Sequence, residues 1–348
     1  MNSYGISLYL GTGIIKNTEI IKKAKDAKVK YAFTSLHLPE EKISDYNKEV
    51  EALLSLCKDA GIELIVDIGP RTIEKLGLPD IYSLKNTPIT HIRVDYGFTN
   101  QEIADLSKDF HIVFNASTLS IDDLESLRAL KVDFSKFSGC HNFYPKPLTG
   151  LSVDKVREIN NRLHNYGVKT IGFVPGDKER RGPLHLGLPT VEEHRNNDLL
   201  EAVLQLRSLG QCDIILIGDV DVKEETWTKL KHLNENYIEL EADIDEDYSY
   251  VRELIHHDRP DSSEYIIRSQ ESRGYATQGK PFEKEGVKPR VKGSISVGNI
   301  EYLRYSGELE IARIDLEEEE KVNIIGHIRD KHLKYLPYIN DGMGFRLI

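Results

Sequence analysis

Short apolar runs and amphipathic stretches alternate through the first two-thirds of the chain. The runs at Tyr4–Leu10, Lys30–Leu36, Ile62–Ile68, His91–Asp95, His111–Asn115, Lys136–His141, Val168–Val174 and Asp213–Gly218 read as strands. Between them apolar residues recur at helical spacing, as one buried face of a helix requires. Ile20, Ile21 and Ala24 mark the first such face, and Val50, Leu53, Leu54 and Cys57 mark the one over Glu49–Ala60. Further helices are predicted over Asn100–Lys108, Ile121–Leu130, Asp154–Tyr166, Asn197–Leu209 and Lys223–Leu233. Gly61, Gly167 and Gly210 close three of them, and Ser152 is placed to cap the helical pattern that resumes at Val153. Eight strands, each followed by a helical pattern, predict an α/β fold of the (β/α)8 TIM-barrel type. A doubly wound sheet fits less well, because no G-x-G-x-x-G follows the first strand. Gly11-Thr12-Gly13 resembles a phosphate loop only in its glycines and lacks the Lys-Ser/Thr ending.

After Asn234 the grammar changes. Tyr237–Ile244, Glu264–Arg268, Lys292–Val297, Tyr302–Ile314 and Val322–Ile328 read as strands separated by Gly, Pro and charged turns, and helical signals nearly vanish. The expected organisation is a barrel over residues 1–234 and a smaller, mostly β domain over 235–348, a small closed or nearly closed barrel. Glu317–Glu320 reads as a solvated turn.

At 348 residues and 39% hydrophobic content the chain can build two cores. A net charge of −11 with no basic patch argues against a nucleic-acid partner. Cys57, Cys140 and Cys212 match neither a disulfide framework nor a zinc pattern. Cys140 reads as a packed thiol rather than a nucleophile. The opening residues lack the layout of a signal peptide, and no apolar run approaches the ~20 residues needed to cross a bilayer. A cytoplasmic protein without a membrane partner is expected; a homodimer is compatible with the sequence.

In a barrel the carboxyl ends of the strands face one cavity. The side chains expected there are Asp67, Arg93, Asp95, Asn115 with Ser117, His141 with Asn142, and Asp219. Tyr144 follows in the Pro-rich exit from the sixth strand, GCHNFYPKPLTGLS. Each aspartate alone could cap a helix or pair with Arg93; together they are more polar than packing requires. Paired carboxylates suit general acid and base or nucleophile work, as in glycoside hydrolysis. Zinc-like H-x-H or H-E-x-x-H spacings are absent, so neither a metal nor a cofactor is expected. The insertion after the seventh strand carries Lys178, Arg180, Arg181 and His185 and could face an anionic substrate group. Within it, Thr190–Glu193 fits a capping box, with Glu193 also near the rim. In the second domain Arg268 and Arg273 bracket two serines as an anion clamp, although surface arginines would look the same.

The runs IVDIGPR, IRVDYGF, FNAST, GCHNFYP with TGLS, GLPTVEEHR and SEYIIRSQESR occur in order along nearly the whole chain. Together they resemble the bacterial 6-phospho-N-acetylmuramidase family. The resemblance implies a TIM barrel followed by a cyclophilin-like β domain. It also implies a cytoplasmic hydrolase of recycled peptidoglycan, cleaving the bond from 6-phospho-N-acetylmuramic acid to N-acetylglucosamine. Where many relatives carry a glutamate after the first strand and an Asp-Glu pair after the fourth, this chain reads Leu10-Gly11 and Asp95-Tyr96. Asp95 is therefore the first choice for one catalytic carboxylate, with Asp67 as partner and Asp219 and Glu193 as alternatives. Arg93, Asn115, His141, Asn142 and Tyr144 would orient the sugar, and Arg181, Arg268 and Arg273 would hold the phosphate and lactyl carboxylate. The alternative readings are a metal-dependent sugar-phosphate hydrolase or isomerase and a non-catalytic sugar-phosphate sensor.

Overall fold

The computed structural model describes residues 3–36, 46–68, 72–94, 97–272, 274 and 282–348. The chain divides into two compact units, Met1–Asn234 and Glu235–Ile348.

The first unit is a closed barrel of eight parallel strands in sequence order. They are β1 (Ser3–Ser7), β2 (Tyr31–Ser35), β3 (Glu63–Ile68), β4 (His91–Val94), β5 (His111–Asn115), β6 (Phe137–Cys140), β7 (Lys169–Val174) and β8 (Ile214–Ile217). The helices are α1 (Ile14–Asp26), α2 (Tyr46–Ala60), α3 (Thr72–Lys75), α4 (Asn100–Leu106), α5 (Ile121–Ala129), α6 (Val153–His164), α7 (Leu199–Ser208) and α8 (Glu224–Asn234). Ser152 caps α6, its hydroxyl accepting the Lys155 N–H at 3.2 Å. The third connection departs from the expected rhythm. Its helix α3 is only four residues long, because Gly77 (φ 67°) and Pro79 follow at once.

Alternation along the strands sends one set of side chains into the barrel and the other against the helices. Tyr31, Phe33, Ile65, Val113, Ile171, Phe173 and Leu216 pack inside, each worth roughly 1.5–3 kcal/mol when fully buried. Gly5 sits where β1 passes closest to its neighbours: a Cβ there would lie 2.5 Å from the Tyr31 carbonyl oxygen. Phe143, from the loop after β6, meets Phe33 and Phe173 edge-on at 6.2 and 5.2 Å and covers this core. Farther down the strands the His91 and His111 rings meet at a tilt, their centres 4.5 Å apart.

The second unit is mostly β, as expected. Its described strands form two sheets, one in the order β10 (Ala242–Ile244), β15 (Val322–Ile328), β13 (Ser294–Gly298), β14 (Leu309–Ala312), β12 (Ile266–Arg268). The other runs β11 (His256–His257), β16 (Gly344–Leu347), β9 (Tyr237–Leu240). The single strand expected over Tyr237–Ile244 is two strands in different sheets, divided at Glu241. The strand expected over Tyr302–Ile314 is shorter, because Ile300–Tyr305 forms a 3-10 turn capped by the Asn299 side chain.

Candidate active site

Strand register creates a polar belt inside the barrel, at the carboxyl end of its strands. Ser35, Asp67 and Arg93 are direct neighbours on β2, β3 and β4. Their side chains therefore leave the wall on the same side, toward the cavity. Asp67 Oδ2 accepts from Ser35 Oγ at 3.3 Å and from Arg93 Nη1 at 3.2 Å. Arg93 Nη2 donates to Asn142 Oδ1 at 2.8 Å, carrying the belt across β5 to the exit of β6. Asp67 and Arg93 are both more than nine-tenths buried, so the pair is held in a low-dielectric setting where each charge depends on the other. Thr190 fastens the far end: its hydroxyl donates to the Asn142 carbonyl at 3.0 Å and accepts the Phe173 N–H at 2.9 Å. Asn115 ends β5 and turns its Oδ1 to the Ser117 N–H at 3.1 Å. Beside it a cavity of about 230 Å³ is lined by Val94, Phe98, Phe114, Leu119, Asn100 and Asn115.

Not every side chain expected at the rim faces it. Cys140 packs inside the barrel, so His141, next along the chain, points outward. Its Nε2 meets Asn160 Oδ1 of α6 at 2.7 Å, while Asn160 Nδ2 donates to the Gly210 carbonyl. The amide orientation makes Nε2 the protonated nitrogen. Burial lowers the His141 pKa, and the residue joins strand to helix rather than facing sugar. Cys140 is likewise inert, its thiol pushed up to about 12 by burial.

Asp219 anchors the insertion after β7. Its carboxylate accepts N–H groups of Gly176 (2.8 Å), Arg181 (2.9 Å) and Leu188 (3.2 Å). Burial raises its pKa, against the lowering pull of these donors. The anchored loop sets the Arg181 guanidinium over the Tyr9 ring, 4.2 Å from its centre, and the Tyr9 hydroxyl donates to the Gly218 carbonyl.

Glu193 is exposed, and no capping box forms: Val191 precedes a 3-10 turn over Glu192–Arg195 without a side-chain cap. Its neighbour Glu192 carries the structure. Glu192 Oε1 and Oε2 accept from Arg195 Nε and Nη2 at 2.7 and 2.8 Å, and Oε2 also accepts the Gly150 N–H at 2.8 Å. Arg195 holds its carboxyl down at about 2. The remaining Arg195 donors reach the carbonyls of Gly187 (3.0 Å) and Tyr144 (2.9 Å), so one buried guanidinium ties the loops after β6 and β7 together. Tyr144 is held in the same way, its N–H donating to the Pro189 carbonyl at 2.9 Å. Sequence reasoning missed Glu192, Arg195, Tyr9 and Phe143. An acid and a base three apart between two glycine- and proline-rich loops was the available signal for the first two.

Asp95 and Arg273 lie outside the described residues. In the second unit the Arg268 Nε and Nη2 both donate to Glu308 Oε1, at 3.2 and 3.1 Å, so its charge is already matched. Among the described residues no group of three or more His, Cys, Asp or Glu is placed to hold a metal ion, and no helix is long and apolar enough to cross a membrane.

Residues 4–232 match the family model described as 6-phospho-N-acetylmuramidase, N-terminal, and residues 236–348 match the one described as 6-phospho-N-acetylmuramidase, C-terminal. The chain is also similar to the crystal structure of a conserved Enterococcus faecalis protein of unknown function, at 32% identity. That match covers 99% of this chain and 96% of that one, with a TM-score of 0.76. An uncharacterized B. cereus protein is similar at 27% identity over 100% of this chain and 99% of that one, with a TM-score of 0.77. None of the curated proteins is a significant match.

Proposed function

The chain belongs to the 6-phospho-N-acetylmuramidase family, and from that membership we propose that it hydrolyses the glycosidic bond between 6-phospho-N-acetylmuramic acid and N-acetylglucosamine. The observation that carries the reading is the buried belt Ser35–Asp67–Arg93–Asn142 across the barrel mouth. Glycoside hydrolysis needs one group to protonate the leaving oxygen. A carboxylate must also act as nucleophile or base, or orient the substrate's own acetamide. Ion-paired to Arg93, Asp67 is suited to the second role, since a neighbouring guanidinium favours the charged form of a carboxyl. Asp95, two residues beyond Arg93 in the sequence, is proposed as the other carboxylate. Arg93 and Asn142 supply oriented donors for ring hydroxyls, and Asn115 supplies an amide beside them.

Arg181 is assigned to the phosphate. Its backbone is pinned by Asp219 and its guanidinium lies over the Tyr9 ring, two contacts that fix where the planar group sits. Arg268 is less suited, because buried Glu308 already engages it. With a cytoplasmic location, the activity would belong to the recycling of cell-wall peptidoglycan.

Incubation with the phosphorylated disaccharide and its unphosphorylated form, followed by mass spectrometry, tests the reading. Cleavage of the phosphorylated form alone, persisting with chelator and falling at least about 100-fold in Asp67→Asn, is the expected result. A folded protein that cleaves neither form overturns it.

A further inference from the structure

The second unit holds a cavity of about 280 Å³ lined by Arg268, Gly298, Tyr302, Tyr305, Glu308 and Glu310. Glu308, just before β14, and Glu310 within it flank Leu309, whose side chain is buried in the core, so both carboxylates take the opposite face. Arg268 donates to Glu308 from two nitrogens, and Arg290 Nη2 donates to Glu310 Oε2 at 2.6 Å. These two acid–base pairs balance to zero charge. Tyrosines form the wall. The 3-10 turn Ile300–Tyr305 breaks at Leu303, whose φ of 51° turns its side chain out to 81% exposure while Tyr302 and Tyr305 line the cavity. The turn lies directly on β13: a Cβ at Gly298 would meet the Tyr305 carbonyl oxygen at 2.5 Å. Gly298 therefore lets the turn backbone pack directly on the sheet.

We propose that this cavity binds one uncharged pyranose. Three features select that class. Carboxylates accept hydrogen bonds from vicinal hydroxyls, and a neighbouring guanidinium donates to the same hydroxyls. Phenol rings pack on the C–H face of a sugar ring. A volume of about 280 Å³ lies at the lower end of ligand pockets, enough for one ring rather than a disaccharide. This inference does not rest on the hydrolytic reading, since it uses only residues of the second unit.

The test is ligand-observed saturation-transfer NMR on the full chain with N-acetylglucosamine and with glucose. Saturable binding of at least one is expected, weakened about tenfold or more in Glu310→Gln and in Tyr305→Ala. Tyr305→Ala leaves both acid–base pairs in place, so it carries the test if Glu310→Gln does not fold. Absence of binding to both sugars overturns the proposal. Binding that neither Glu310→Gln nor Tyr305→Ala weakens also overturns it, because the sugar would then sit elsewhere.

Discussion

Replacing Glu192 by Gln preserves the side chain's shape and removes the charge that Arg195 faces. Arg195, first, and the N–H groups of Leu148 and Gly150 hold the Glu192 carboxyl at about 2, against an ordinary 4.5. At about 1.4 kcal/mol per unit that difference corresponds to about 3 kcal/mol of stability at neutral pH. The Glu192 side chain is a quarter exposed, and solvent screening reduces the figure to about 2–3 kcal/mol. The folded-state pKa is depressed, so the contribution is present above pH 4.5 and is lost as pH falls toward 2. Trp227, the one tryptophan, lies in α8 and reports on the barrel in urea unfolding. Glu192→Gln is expected to lower barrel stability by about 2–3 kcal/mol at pH 7. The difference should stay constant to about pH 5 and then shrink until the two proteins converge near pH 2. A difference that does not change with pH would refute the reasoning, because the pair would then act through packing rather than charge.

The neighbouring imidazoles of His91 and His111 predict acid sensitivity of the opposite charge type. Burial first, and the nearby Lys30 and Lys169, hold His91 at about 4, so below pH 6.5 the unfolded chain takes up a proton that the barrel refuses. Stability should therefore fall between pH 6.5 and 4 by on the order of 3 kcal/mol from His91 alone, and His91→Gln should flatten that slope in urea titrations. Arg181→Met should raise KM for the phosphorylated disaccharide about 100-fold through loss of a bidentate contact, with kcat little changed; an unchanged KM would remove Arg181 from the phosphate. Cys57, Cys140 and Cys212 are buried, with thiols pushed up to about 12, so thiol reagents at pH 7.5 should label the folded protein slowly and leave activity intact.

The barrel was legible because each strand is a short apolar run bounded by a turn, and Val322–Ile328 was equally clear in the second unit. Local signals failed where tertiary context decides. Nothing in YIELEADI marks Glu241 as the point where the chain passes from one sheet to another. The stretch Tyr302–Ile314 has strand-like composition, yet Asn299 caps a 3-10 turn that claims its first residues. At the site, the residue types at the strand ends were readable but their directions were not. Whether His141 faces sugar or α6 depends on one step of strand alternation, which the Cys140 packing settles. Asp219 read as an alternative catalytic group, but its three backbone N–H partners come from an insertion whose path no local pattern specifies. The weight given to Glu193 belonged one residue earlier, since only Glu192 reaches Arg195.

The most direct test of the central claim is cleavage of the phosphorylated disaccharide in ¹⁸O-water, read by mass spectrometry before anomeric exchange. The account predicts ¹⁸O at the anomeric carbon of released 6-phospho-N-acetylmuramic acid, with unlabelled N-acetylglucosamine, and loss of this product in Asp67→Asn. Label in N-acetylglucosamine, or release without any label, would contradict hydrolysis at the glycosidic carbon and the role given to the Asp67–Arg93 belt.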